Sequence, residues 1–163
     1  MNFGLIYGMG PARFQQHAAQ YGAAVSLQEA AAFKLRFLEL YQGIRRWHRD
    51  QGNDAMDTRT LTGRRRVGIV QFTEKLNSPV QGTGADMVKD ALVRLYQDRQ
   101  QVPSACVVNV IHDEILVECD AGDADTVAAW LTGHMEAAGA ALLPDVPVVA
   151  EAEIMRDWGG TPV

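Results

Sequence analysis

Cysteine is scarce in this chain. Only Cys106 and Cys119 occur among 163 residues. They do not form the CxxC pair that zinc or dithiol redox chemistry uses, and two thiols do not make a disulfide framework. Both lie on apolar, strand-like runs, so they are expected as buried thiols. Long apolar runs are also missing. Nothing approaches the roughly 20 residues a membrane helix needs. The N-terminus lacks a basic flank followed by an apolar core, so secretion has no support. The expected location is cytoplasmic, with no membrane partner. Internal repeats and low-complexity tracts are absent too. A net charge of −5 argues against a simple basic nucleic-acid binder.

What is present is an uneven charge distribution. Nine basic residues (Lys34, Arg36, Arg45, Arg46, Arg49, Arg59, Arg64, Arg65 and Arg66) face four acidic ones (Glu39, Asp50, Asp54 and Asp57) between positions 34 and 66. Beyond Arg66 the balance reverses to five basic and fifteen acidic. An anion can dock on the first part and metal cations on the second. With 47% hydrophobic residues, the chain is long enough for one domain or slightly more.

Hydrophobic periodicity supplies the elements. From Ser26 to Asp50, Ala30, Phe33, Phe37, Leu38, Tyr41 and Ile44 recur at helical spacing behind a Ser26–Glu29 capping box, predicting a long helix bent near Gly43. RTLTGRRRVG reads as two extended pieces around a glycine turn. A second helix is predicted from Thr83 to Arg99, starting after Pro79 and Gly82, with Met87, Ala91, Leu92 and Leu95 on its apolar face. ACVVNVIHDEILVEC reads as a β-hairpin with His112, Asp113 and Glu114 at its tip. An alanine-rich helix follows from Ala124 to Leu142, and VPVVAEAEI is expected as a final strand. The fold class is α+β: helices packed on a small antiparallel sheet with a β-hairpin carrying the His-Asp-Glu tip.

Several stretches carry chemistry, each with a plainer alternative. Adjacent Asp113 and Glu114 repel each other unless a cation sits beside them, and hard divalent ions prefer such oxygens. A solvated turn is the alternative. Asn77 and Gln81 carry amides suited to minor-groove acceptors, or they belong to a polar helix start. Gly63-Arg64-Arg65-Arg66 suits phosphate steering or a solvated basic turn. Phe3 and Tyr7, four apart, share a face if their segment is helical. They can stack on a base or sugar or pack in a core.

The wording and order of these blocks are more specific than any one of them. Asn2-Phe3-Gly4-Leu5-Ile6-Tyr7-Gly8-Met9, then Leu61-Thr62-Gly63-Arg64-Arg65-Arg66, then Pro79-Val80-Gln81-Gly82-Thr83-Gly84-Ala85-Asp86, then Val110-Ile111-His112-Asp113-Glu114 resemble the C-terminal part of family A DNA polymerases, the bacterial DNA polymerase I type. The resemblance runs to Glu153-Ile154-Met155-Arg156-Asp157-Trp158, similar to the family's closing strand.

The resemblance implies a partial fingers subdomain over 1–66 and a partial palm over 67–163 with a metal-binding hairpin. It implies DNA-directed nucleotidyl transfer with two Mg²⁺ ions, acting on primer–template DNA and dNTP. Phe3 matches the aromatic against the nucleotide's sugar, Tyr7 the one at the insertion site, and Arg13 a template contact. Arg66 matches a backbone contact, Asn77 and Gln81 minor-groove amides, and His112 a residue beside the primer terminus. Asp113 matches the metal-binding aspartate of the palm, with Glu114 its supporting catalytic neighbour. Gly10 departs from the pattern, standing where the family more often has a serine that touches the template.

The family's other palm aspartate, and the lysine and arginine that hold the triphosphate, would precede Met1. The expectation is therefore a chain that begins inside a functional helix. It needs a complementing N-terminal polymerase chain, and self-association through uncovered apolar patches is expected. The rival readings are a non-catalytic DNA-binding or partner-binding module and an inactive truncated remnant.

Overall fold

The computed structural model describes residues 2–52 and 57–161. Along the chain run α1 (Asn2–Ile6), α2 (Pro11–Gln20), α3 (Leu27–Leu40), α4 (Gln42–Gln51), β1 (Asp57–Arg59), β2 (Arg65–Val67), α5 (Phe72–Asp98), β3 (Cys106–Ile111), β4 (Glu114–Glu118) and α6 (Ala124–Leu142). The α+β class holds, with two separate two-stranded antiparallel ladders among the described residues rather than one small sheet. The chain divides into two compact units, 1–82 and 83–163. The division falls within α5.

In the first unit, Pro11 opens α2, where its missing N–H would have no partner in any case. The Ser26–Glu29 capping box opens α3: the Glu29 amide donates to Ser26 Oγ at 3.2 Å, and the Ser26 amide donates to the Glu29 carboxylate at 2.8 Å. Those bonds hold the Glu29 carboxyl below its ordinary range. Leu5, Phe14 and Ala30 form the buried centre, with Met9, Val25 and Phe37 packed around it. Burying one such large side chain contributes about 1.5–3 kcal/mol.

The predicted single helix over Ser26–Asp50 is instead two helices, broken at Tyr41 rather than at Gly43. The Tyr41 amide still donates to the Phe37 carbonyl, but its ψ of 70° leaves the helical region. The two extended pieces around Gly63 are present as β1 and β2, paired Asp57↔Val67 through Arg59↔Arg65. Gly63 turns between them at φ +88°.

α5 also departs from expectation. It starts at Phe72, not Thr83, and Pro79 and Gly82 lie within it. Pro79 cannot donate to the carbonyl four residues back, that of Lys75. The preceding turn is held by the Ser78 hydroxyl, which donates to the Glu74 carbonyl at 2.6 Å. Leu76 and Lys75 are buried on this part of the helix, and Lys75 Nζ donates to the Gly52 carbonyl at 2.9 Å. Burial on the inward face keeps the helix continuous where local propensity opposes it.

In the second unit, Val88, Ala91 and Leu95 of α5 meet Ile115 of β4 and Ala138 of α6. Leu92, Val117, Trp130, Leu131 and Met135 surround them. The β3–β4 hairpin is present as predicted, but its first strand is exposed from Cys106 to Val110. The expectation of buried thiols therefore fails: Cys106 is exposed and Cys119 half-buried. α5 and α6 cover β4 and leave β3 open.

The expected strand over VPVVAEAEI is not formed. Pro147 has no N–H to give to a ladder, and the segment joins neither of the two ladders among the described residues. It is held by side chains instead. The Ala150 amide donates to Glu136 Oε1 at 3.1 Å, and Val148 lies so close to Gly139 that a Cβ there would approach it within 2.5 Å.

Candidate nucleic-acid interface

Phe3 and Tyr7 meet as the sequence predicts. Tyr7 sits in the turn just after α1, and its amide still donates to the Phe3 carbonyl at 3.2 Å. One further helical step therefore brings the rings to 6.0 Å, tilted at 46°. Phe3 is 71% exposed while Leu5 is 3% exposed, so one side of α1 offers an aromatic surface and the other enters the core. Gly8 ends the turn at φ +82°, with its α-carbon facing Leu76 and Phe72. Arg13 stands exposed on α2.

The arginine cluster is more engaged than a basic turn would be. Arg65 Nε donates to Asp57 Oδ2 at 2.5 Å, across the β1–β2 ladder. Arg64 Nη2 reaches the Gly82 carbonyl at 2.8 Å. Arg66 Nη1 donates to Ser78 Oγ at 2.7 Å, and its Nη2 lies 3.7 Å from Glu74 Oε1. The hairpin is thus clipped to α5 by two of its three arginines. Both Arg66 and Glu74 remain substantially exposed, so their ion pair contributes no more than ~1 kcal/mol. Its main effect is to set direction.

Next to Ser78, Asn77 is exposed, and Gln81 is exposed one turn later on α5. Arg66 is therefore anchored at the residue beside Asn77. Thr83 and Asp86 of the same sequence block are buried. Glu74, Ser78 and His48 were not singled out in the sequence. Their partners lie 8, 12 and 42 residues away in order for Arg66 with Glu74, Arg66 with Ser78, and Ile6 with His48.

In the second unit, Ile111 pairs with Glu114, leaving His112 and Asp113 as a two-residue turn. His112 takes φ +57° and is the one non-glycine residue with positive φ among those described. His112, Asp113 and Glu114 are all exposed. Downstream of the hairpin, burial pushes the Cys119 thiol pKa up, reinforced by Asp123 and Asp120. Among the described residues no group of three Asp, Glu, His or Cys side chains converges. Mg²⁺ takes six oxygens in near-octahedral order, even when water and phosphate supply several. The described carboxylates alone therefore do not complete a magnesium site.

The family model for DNA polymerase family A matches residues 1–160. The chain belongs to DNA polymerase family A. Among curated relatives, DNA polymerase I of Aquifex aeolicus is 35% identical over 97% of this chain and 29% of its own length. The thermostable DNA polymerase I of Thermus thermophilus is 31% identical over 97% of this chain and 20% of its own. The chain thus spans less than a third of these family A polymerases. A solved family member is similar in fold: the polymerase domain of Pol1 from M. smegmatis, in complex with DNA primer-template and dNTP. The two share a TM-score of 0.69 and 26% identity, over 85% of this chain and 26% of that one. The family A match takes in every residue named above as a candidate.

Proposed function

We propose that this chain supplies fingers and palm parts of a DNA-directed DNA polymerase and acts with a complementing polypeptide. Residues 1–66 serve as the fingers part and 67–163 as the palm part. The observation that carries this reading is the hairpin turn: within a chain matched to the family over 1–160, Asp113 stands exposed at a two-residue tip beside His112.

In this reading Phe3 lies against the sugar of the incoming dNTP and Tyr7 packs at the insertion site. Flat aromatic faces tolerate any base, which suits template-directed selection. Asn77 and Gln81 touch the primer–template minor groove, where acceptors are alike for all pairs and amides can donate to them. Arg13 and Arg66 contact the nucleic-acid backbone. Glu74 and Ser78 hold the Arg66 guanidinium by one edge, leaving the rest of its donor fork for phosphate oxygens. His112 borders the primer terminus, and Glu114 supports Asp113.

Magnesium is the proposed metal. Asp113 gives one of its ligands, and a carboxylate on the complementing chain gives another. That chain also brings the lysine and arginine that grip the triphosphate.

The test is primer extension with Mg²⁺ after mixing this chain with an N-terminal polymerase fragment. Extension should require both chains, and Asp113→Ala should abolish it. Activity surviving in the Asp113→Ala mixture removes the assigned role.

A further inference from the structure

α1 has only five residues, too few to persist in water without outside support. The carbonyls at its end need partners from beyond the helix. Those of Phe3, Gly4 and Leu5 accept from the amides of Tyr7, Met9 and Gly8, at 3.2, 2.7 and 3.1 Å. The carbonyl of Ile6 is met by the side chain of His48, on α4, at 2.6 Å. It is the distant one of the four partners.

We propose that His48 is a positioning residue. It fixes the C-terminal end of α1, and so sets the Phe3–Tyr7 pair for stacking on a nucleotide. The inference rests on the polymerase reading only for what the pair faces, not for the anchoring itself.

A carbonyl can only accept, so His48 Nε2 carries the hydrogen, and the bond fixes both tautomer and ring direction. The ring has a second constraint: it meets Phe72 edge-on, with centroids 5.9 Å apart at 85°. Phe72 and Leu76 in turn flank Gly8, which leaves no room for a side chain at the turn. The end of α1 is thus held between a hydrogen bond from α4 and the apolar start of α5. His48 is half-buried, which shields the bond from competing water. A lone histidine donor whose removal orphans a helix-end carbonyl changes where α1 points more than how much helix the molecule contains.

The experiment uses the full chain, isotope-labelled for NMR, beside His48→Leu and His48→Gln. In the parent, the His48 ring nitrogens should report the Nε2–H form, and Phe3 and Tyr7 ring protons should show mutual contacts. With an unlabelled N-terminal polymerase fragment added, titrated dGTP should shift both rings. His48→Leu should keep the β3–β4 amide pattern but lose the ring contacts, and its dGTP affinity should drop about five-fold. His48→Gln, which retains a donor, should restore the contacts.

An Nδ1–H ring, or a leucine variant with ring contacts and affinity intact, overturns the proposal. If ring contacts vanish in His48→Leu while dGTP shifts nothing in the parent even with the N-terminal polymerase fragment present, the anchoring stands and the nucleotide reading fails. Should the leucine variant not fold, the tautomer and the glutamine variant still decide.

Discussion

At the scale of single residues, His112 is under backbone strain. Its φ of +57° is a region that glycine enters freely and side-chained residues enter at a cost of about 1–3 kcal/mol. The turn has no need of an imidazole for its own sake. His112→Gly should therefore stabilise the isolated chain by up to about 1 kcal/mol, read as a higher urea midpoint, while weakening primer extension in the complemented mixture. A midpoint that falls would show the imidazole to be structural. His112 and Asp113 were legible in the sequence because three polar residues interrupt two β-branched runs, a local signal. His48 was not. It sits in an arginine-rich helix that reads as a solvated face, and its partner is 42 residues away. Arg66 was legible as a cation and illegible as a clip, since nothing in the sequence pairs it with Ser78.

At the scale of elements, agreement followed how local each signal was. The capping box and the glycine-turned ladder are written in neighbouring residues, and both formed. α5 defeated the breaker rule because Leu76 and Lys75 on its early turns are buried, and tertiary burial outweighs a proline's local cost. The segment after α6 failed as a strand for the opposite reason: strand propensity needs a paired neighbour, and this segment joins neither ladder among the described residues. Its attachment depends on the missing side chain at Gly139. Gly139→Val should detach residues 147–150 and destabilise the second unit by about 1–3 kcal/mol. Hydrogen exchange at Ala150 and the thermal midpoint report it. Unchanged protection of Ala150 would refute that account of the contact.

For the whole molecule, the net charge of −5 and the cationic stretch from Lys34 to Arg66 pull in opposite directions. Bulk acidity repels a polyanion at long range, whereas a basic stretch attracts one at short range. Retention by primer–template duplex should therefore appear at low salt and fall along a log–log line whose slope is about −0.9 for each phosphate neutralised. Arg13→Ala should make that slope shallower by about one such step. A slope near zero in the parent would remove the basic stretch from any role in DNA contact. Charge asymmetry was legible from composition; that Asp57 and Glu74 occupy part of it was not.

The uncovered β3 strand bears on how the purified chain behaves. Its backbone pairs with β4 along one side only among the described residues, and a half-used ladder welcomes extended peptide of almost any sequence. Cys106 opens that strand as an exposed thiol. In air, an edge-to-edge encounter between two molecules can be locked covalently there, so measurements on single molecules call for reducing agent and low concentration.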